Sequence, residues 1–386
     1  MSKATKIILW LVVAIIIIGG IWYVVSKKPT APTTPLPTTT PAPTAPTTRG
    51  PIKVGVILPL TGEVGYIGQE IQKGIELAKD EAGIAVNLIY EDEKCQGKEG
   101  VTAFQKLINV DKVDALLGPV CVTSGKSIAQ FLKQTTIPVV GLTPSSDFSA
   151  SGGKNVFTTL LPVRRYAEKW ASYLAKHWDT TAILYTIDEG QQEGAVGIKQ
   201  FFEKNPGKKV VFIEGIPPTV TDLRTIASKL MSHKFDAFSN VLMVNHTIAL
   251  LKIFKERGFK VPIVGVTDPF LTARDQLEKA LGKETLYGIK YVSEIPPTKT
   301  KDITERFKQK FGSEPNLLNK WGYYAGLILF EAYKNTDGKS DSVVRYIQNL
   351  NNWEGASGII SFDEDGVIKK ELGIYEITPE GDKRIE

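Results

Sequence analysis

From residue 51 onward, short apolar runs alternate with longer amphipathic stretches. Residues 52–58 (Ile-Lys-Val-Gly-Val-Ile-Leu) are almost all apolar and too few for a helix, so they read as a strand buried on both faces. Residues 68–82 predict an amphipathic helix, 86–90 the next strand and 101–110 the next helix. Further strands are expected at 115–117 and 137–141, and the rhythm resumes at 182–185, 209–212, 237–243 and 262–265. Buried strands alternating with helices predict an α/β fold whose parallel sheets are covered on both faces. Two such blocks, 52–161 and 162–289, predict two doubly wound lobes.

The first fifty residues follow other rules. Residues 7–25 form an apolar run without a charge, roughly 28 Å long as a helix, which matches the hydrocarbon thickness of a bilayer. Lys3 and Lys6 would also suit a cleaved signal peptide. However, the run is longer than the usual signal core, and Ser26-Lys27-Lys28-Pro29 follows it instead of an Ala-x-Ala-like site. An uncleaved single-pass membrane anchor over residues 1–28 is therefore the favoured reading, with the body on the extracytoplasmic side. Residues 29–50 are nearly all Thr, Pro and Ala, a composition that forms neither helix nor sheet and predicts a semi-rigid stalk.

Charge separates the same two parts. The chain of 386 residues has a formal net charge of +5. Lys3, Lys6, Lys27, Lys28 and Arg49 stand in the first fifty residues without an acidic partner, so the remaining body is neutral. A neutral body argues against nucleic acid as a partner, since phosphates demand a basic face. Catalytic signatures are weak too. Gly62, Gly65 and Gly68 follow the first strand, but their spacing lacks the Gly-x-Gly of a dinucleotide site, and Glu63 would repel phosphate. Gly125-Lys126-Ser127 resembles the end of a phosphate-binding loop, but Val120 stands where that loop needs glycine. His177, His233 and His246 have no ligand-like spacing. No enzyme activity, metal or cofactor is expected.

Polar residues collect instead after the strands, where open α/β sheets bind ligands. Tyr66 lies in the first such loop, Thr123 and Ser124 follow the third strand, and Ser145, Ser146 and Asp147 follow the fourth. The second block contributes Asp188, Glu189 and Gln191, then Thr267 and Asp268. Hydroxyls and free helix N–H groups there suit a small anionic or zwitterionic ligand, and Asp268 suits an ammonium; ordinary helix capping is the alternative for each residue. Cys95 and Cys121 also follow strand ends at one sheet edge. They are expected to pair as a disulfide outside the cytoplasm, with two buried free thiols as the alternative.

The body resembles the periplasmic branched-chain amino-acid-binding proteins, the type I solute receptors of ABC importers. The likeness rests on Ile52-Lys53-Val54-Gly55 with Leu60-Thr61-Gly62, on Tyr90-Glu91-Asp92 before Cys95, and on Gly118-Pro119-Val120-Cys121. Residues 137–144 and the late Gly355-Ala356-Ser357-Gly358 and Phe362-Asp363-Glu364-Asp365-Gly366 continue it. The resemblance implies a three-strand hinge, with one lobe formed by 51–161 and 290–359 and the other by 162–289 and 360–386. It also implies the Cys95–Cys121 disulfide. A monomer would close on an amino acid or related molecule and present it to an ABC permease; a membrane-anchored sensor with the same clamp is the alternative. The implied ligand contacts fall near Val122 and Thr123, at Ser145, Ser146 and Asp147, and near Thr267 and Asp268. Val122 replaces a frequent hydroxyl, Asp147 replaces a usual threonine, and no aromatic stands near Gln191.

Overall fold

The computed structural model describes residues 50–386, apart from 152, 266, 296–301, 352 and 356–357. The anchor and stalk expected over 1–28 and 29–50 lie outside the described residues, apart from Gly50, and no described helix is long and apolar enough to cross a membrane.

β1 (Ile52–Leu58) is buried along nearly its whole length because it is paired on both sides in a five-stranded parallel sheet. That sheet has the order β2-β1-β3-β4-β5, with β2 (Val86–Asp92), β3 (Ala115–Leu117), β4 (Val139–Gly141) and β5 (Val156–Thr158). On one face lie α1 (Gly65–Glu81) and, from late in the chain, α11 (Thr304–Phe311), α12 (Leu317–Lys334) and α13 (Ser340–Gln348). The other face packs Phe104, Ile128, Leu132 and Phe148, from α2 (Gly97–Lys106), α3 (Val122–Leu132) and α4 (Ser146–Ser151). The helix expected at 101–110 is thus α2 continued by a π turn over Leu107–Asp111.

The second sheet has seven strands, in the order β14-β13-β10-β9-β8-β6-β7. β6 (Thr180–Thr186), β7 (Lys209–Ile216), β8 (Ala237–Val241), β9 (Ile263–Gly265) and β10 (Lys290–Glu294) are parallel. A purely parallel sheet was expected, but β13 (Leu372–Thr378) and β14 (Gly381–Arg384) add to β10 antiparallel. The tight turn at Gly381, whose φ of 120° favours glycine, lets these two strands pair without a crossover helix. One face of this sheet packs Trp170 of α5 (Val163–His177) and Phe202, and the other packs Phe238 with α7 (Arg224–Met231), α8 (Val244–Glu256), α9 (Thr267–Phe270) and α10 (Arg274–Leu281).

The crossings between the sheets fall a few residues from the expected ones. β10 pairs in the second sheet, so the return to the first follows Glu294 rather than preceding residue 290. Ile360, Phe362 and Ile368 pack into the first core, and Val367 bridges to Thr158, so the last crossing follows Ile368. One cluster ties the three crossings together. Lys370 pairs with Glu294 at 2.6 Å and donates to the Thr159 carbonyl at 3.2 Å, while the Tyr166 hydroxyl donates to Glu294 at 3.1 Å.

Candidate functional site

The strand ends of the two sheets meet where α3 and α4 face α6 (Glu189–Phe202). Asp188 starts α6 by accepting the Gly190 and Gln191 amides at 2.8 and 3.2 Å, which fixes the direction of that helix. Three contacts then cross between the lobes. Ser146 Oγ donates to Glu193 Oε1 at 3.0 Å, and Lys126 pairs with Glu189 at 3.6 Å. Val122 lies so close to Gly190 that a Cβ there would stand 3.2 Å from its methyl group.

Around these contacts runs an open cleft of about 720 Å³. Val122, Lys126 and Asp147 line it from the first lobe, and one face of α6 lines it from Glu189 through Gln192, Glu193 and Val196 to Phe201. Its two ends differ in charge. Glu193 and Asp147 sit at the end where the lobes touch; burial and the charges of Asp147 and Glu189 raise the Glu193 pKa, against the Ser146 hydrogen bond and Lys126. At the other end Arg164 and Lys204 lie 5.6 and 4.7 Å from the Phe201 ring centre, in cation–π range. The cleft therefore offers Asp147, Glu189 and Glu193 beside Lys126 where the lobes touch, Arg164 and Lys204 around the Phe201 ring, and apolar contact from Val122 and Val196.

The residues singled out from sequence divide accordingly. Val122 and Asp147 line the cleft, and Ser146 spans it to Glu193. Thr123 is partly exposed in the first turn of α3, and Tyr66 packs partly buried on the first core. Ser124 is fully buried, its hydroxyl 3.4 Å from the Gln96 carbonyl, and Ser145 Oγ accepts the Phe148 amide at 3.3 Å, which is capping rather than cleft chemistry. Gln191 stands beside the lining residues Gln192 and Glu193. Thr267 and Asp268 begin the short helix Thr267–Phe270, and their side chains lie outside what the structure describes. Sequence reasoning passed over Glu193 and Gln192, although Glu189, Gln192, Glu193, Val196 and Gln200 share one helical face.

Beneath this wall, Cys95 and Cys121 form a disulfide with Cα atoms 5.2 Å apart. The buried Glu93 accepts the Val120 and Cys121 amides at 2.9 and 3.1 Å. Across the second lobe, His246 joins Thr186 Oγ1 and the Val220 carbonyl at 2.9 and 2.8 Å. The Val220 carbonyl can only accept, so the imidazole proton lies on Nε2; burial lowers the His246 pKa, which leaves Nδ1 to accept from the Thr186 hydroxyl, itself an acceptor for the Met243 amide. That histidine braces the wall.

A sequence model of the family described as periplasmic binding proteins matches residues 51–383. The chain belongs to that family. This periplasmic binding protein is similar to the Leu/Ile/Val-binding protein BraC3 of Rhizobium johnstonii, with 28% identity over 50% of this chain and 54% of the relative. It thus spans about half the length of the curated relatives it matches first. Among solved structures it is similar to the leucine-binding protein LivK of Thermotoga maritima, with 23% identity, a TM-score of 0.73, and 87% and 98% of the two chains covered. A solute-binding protein of an R. palustris ABC transporter, in complex with benzoate, aligns with 18% identity and a TM-score of 0.74 over 87% and 96%. These likenesses establish the two-lobed fold of this family member.

Proposed function

We propose that this chain is the extracytoplasmic solute receptor of an ABC-type importer. It is not an enzyme: its two lobes close on an amino acid or related small polar molecule and present the closed form to a permease. The observation carrying this reading is the cleft bridged by Ser146 and Glu193, at the strand ends of two lobes joined by three crossings. Closure by hinge motion is the expected response to a ligand that contacts both walls. The Leu/Ile/Val-binding relative supports an amino acid, and the carboxylates of Asp147 and Glu193 favour a ligand bearing an amine over a purely anionic one.

A calorimetric panel of leucine, isoleucine, valine, polar and basic amino acids and benzoates tests the reading. At least one amino acid should bind and raise thermal stability, by about 4 kcal/mol at a thousandfold excess over its Kd. Binding of benzoate with no amino acid bound would overturn the amino-acid assignment. Loss of uptake of that amino acid on gene deletion separates transport from sensing, the second use of the same clamp.

The apolar run at 7–25 and the Thr/Pro stretch at 29–50 support a single-pass anchor and a spacer that hold a monomeric body outside the membrane. The protein should stay with membranes through an alkaline wash at its full mass. Release into the wash, or a mature chain starting beyond Lys28, would contradict the anchor.

A further inference from the structure

We propose that Glu93 is a positioning residue for the first-lobe wall: its carboxyl holds the amides leading into α3, and so fixes Val122 in the cleft. Glu93 follows β2, and the next two residues turn back sharply, with Lys94 and Cys95 at φ of 47° and 54°. This turn sends the Glu93 side chain into the interior, where it is fully buried. Its Oε1 accepts from both Val120 and Cys121. Neither of these amides can join the helix that begins at Val122, and Cys121 supplies no side-chain cap. Glu93 thus does from the loop after β2 what the glutamate of a capping box does locally, accepting the amide of the residue that precedes the helix. The disulfide from Cys95 to Cys121 fastens the same two segments, so the entry to α3 is held covalently and by a carboxyl.

The grip depends on protonation. Burial pushes Glu93 up to about 7, with the Asp92 charge adding to it and the Ser124 hydroxyl and the two amides opposing it. Asp92, the last residue of β2, precedes it, and α3 presents Ser124, which packs against Gly100 of α2. Glu93 Oε2 has no hydrogen bond of good geometry. Below neutrality the carboxyl is neutral, and Oε2 carries a proton that Ser124 can accept. Above it, a charge stands behind the first turn of α3, grips the amides harder and opposes an anionic ligand group at that helix start.

The test uses the full chain in detergent micelles, labelled with ¹⁵N on valine and cysteine. The Val120, Cys121 and Val122 amides should titrate together between pH 5.5 and 8.5, and Glu93→Gln, which fixes the neutral form, should flatten all three. A Val122 amide that does not move, or one that still titrates in Glu93→Gln, overturns the proposal. The effect on affinity rests on the function proposed above and uses L-leucine as the probe. Glu193 titrates in both proteins, so the comparison is between them: raising the pH from 5.5 to 8.5 should weaken binding about threefold more in wild type than in Glu93→Gln. If wild type binds no leucine, that failure belongs to the functional reading, and the amide titration still decides the role of Glu93. Glu93→Ala, which strands both amides, should broaden the Val122 resonance, and Glu93→Gln should restore it.

Discussion

Gly322→Ala is expected to destabilise the first lobe by about 3 kcal/mol, a large loss for the addition of one methyl group. α1 and α12 cross with their backbones in contact. A Cβ on Gly322 would overlap the Ile71 carbonyl oxygen, and one on Gly74 would overlap that of Asn319. Main chain cannot swing aside as the end of a flexible side chain can, so the two helices must separate. Separation strips contacts from the fully buried Ile71 and Tyr323. It also stretches the bonds from Asn319 Nδ2 to the Glu70 carbonyl and carboxylate, both 2.8 Å, and from the Tyr323 hydroxyl to Glu81 at 2.7 Å. Gly194→Ala is the control: it also lies within a helix, but its Cβ would meet neighbours at 3.4 and 3.6 Å. Alanine there should be neutral or stabilise by about 0.5 kcal/mol through helix propensity. Urea denaturation of both variants decides the matter, and equal midpoints would remove the argument from backbone contact.

Replacing Cys95 and Cys121 together by serine should cost about 3–4 kcal/mol, the loop-closure value for partners 26 residues apart. The loss acts chiefly on the unfolded chain, which gains the freedom the bridge removed. Because Glu93 still holds the Val120 and Cys121 amides, the folded loop should keep its shape, and ligand affinity should change less than stability. A reductant should lower the wild-type denaturation midpoint to that of the double variant and leave the variant unmoved. A wild-type midpoint indifferent to reductant would rule out a stabilising role for the bridge.

Some of this was legible in sequence because local chemistry dictated it. The apolar run of β1 announced a strand buried on both faces, whereas Asp188, read from sequence as a residue after a strand end, proves to cap α6. The cysteines were placed at one sheet edge by the alternation of strands and helices. α12 went unread because it is buried nearly all round and lacks the polar stripe that marks a surface helix. β14 went unread because all four of its residues are exposed. At the site, residue type showed where polar groups collect but not which way they point. Ser124 turns inward because Gly100 leaves room against its side chain, and Gly125 packs against Thr143 and Ser145. Those choices belong to tertiary neighbours. Glu193 gains importance only because Ser146 of the other lobe comes within 3.0 Å.

The cluster of Thr159, Glu294 and Lys370 also bears on how the proposed receptor would open. Each crossing segment alone could bend and twist independently, but Lys370 and Glu294 bind all three at one junction, with only about a fifth of either side chain exposed. Three segments fastened side by side bend together more readily than they slide past one another. On the function proposed above, such a joint would open like a book: the Ser146–Glu193 and Lys126–Glu189 bridges would part in one stroke, without the two walls sliding past each other.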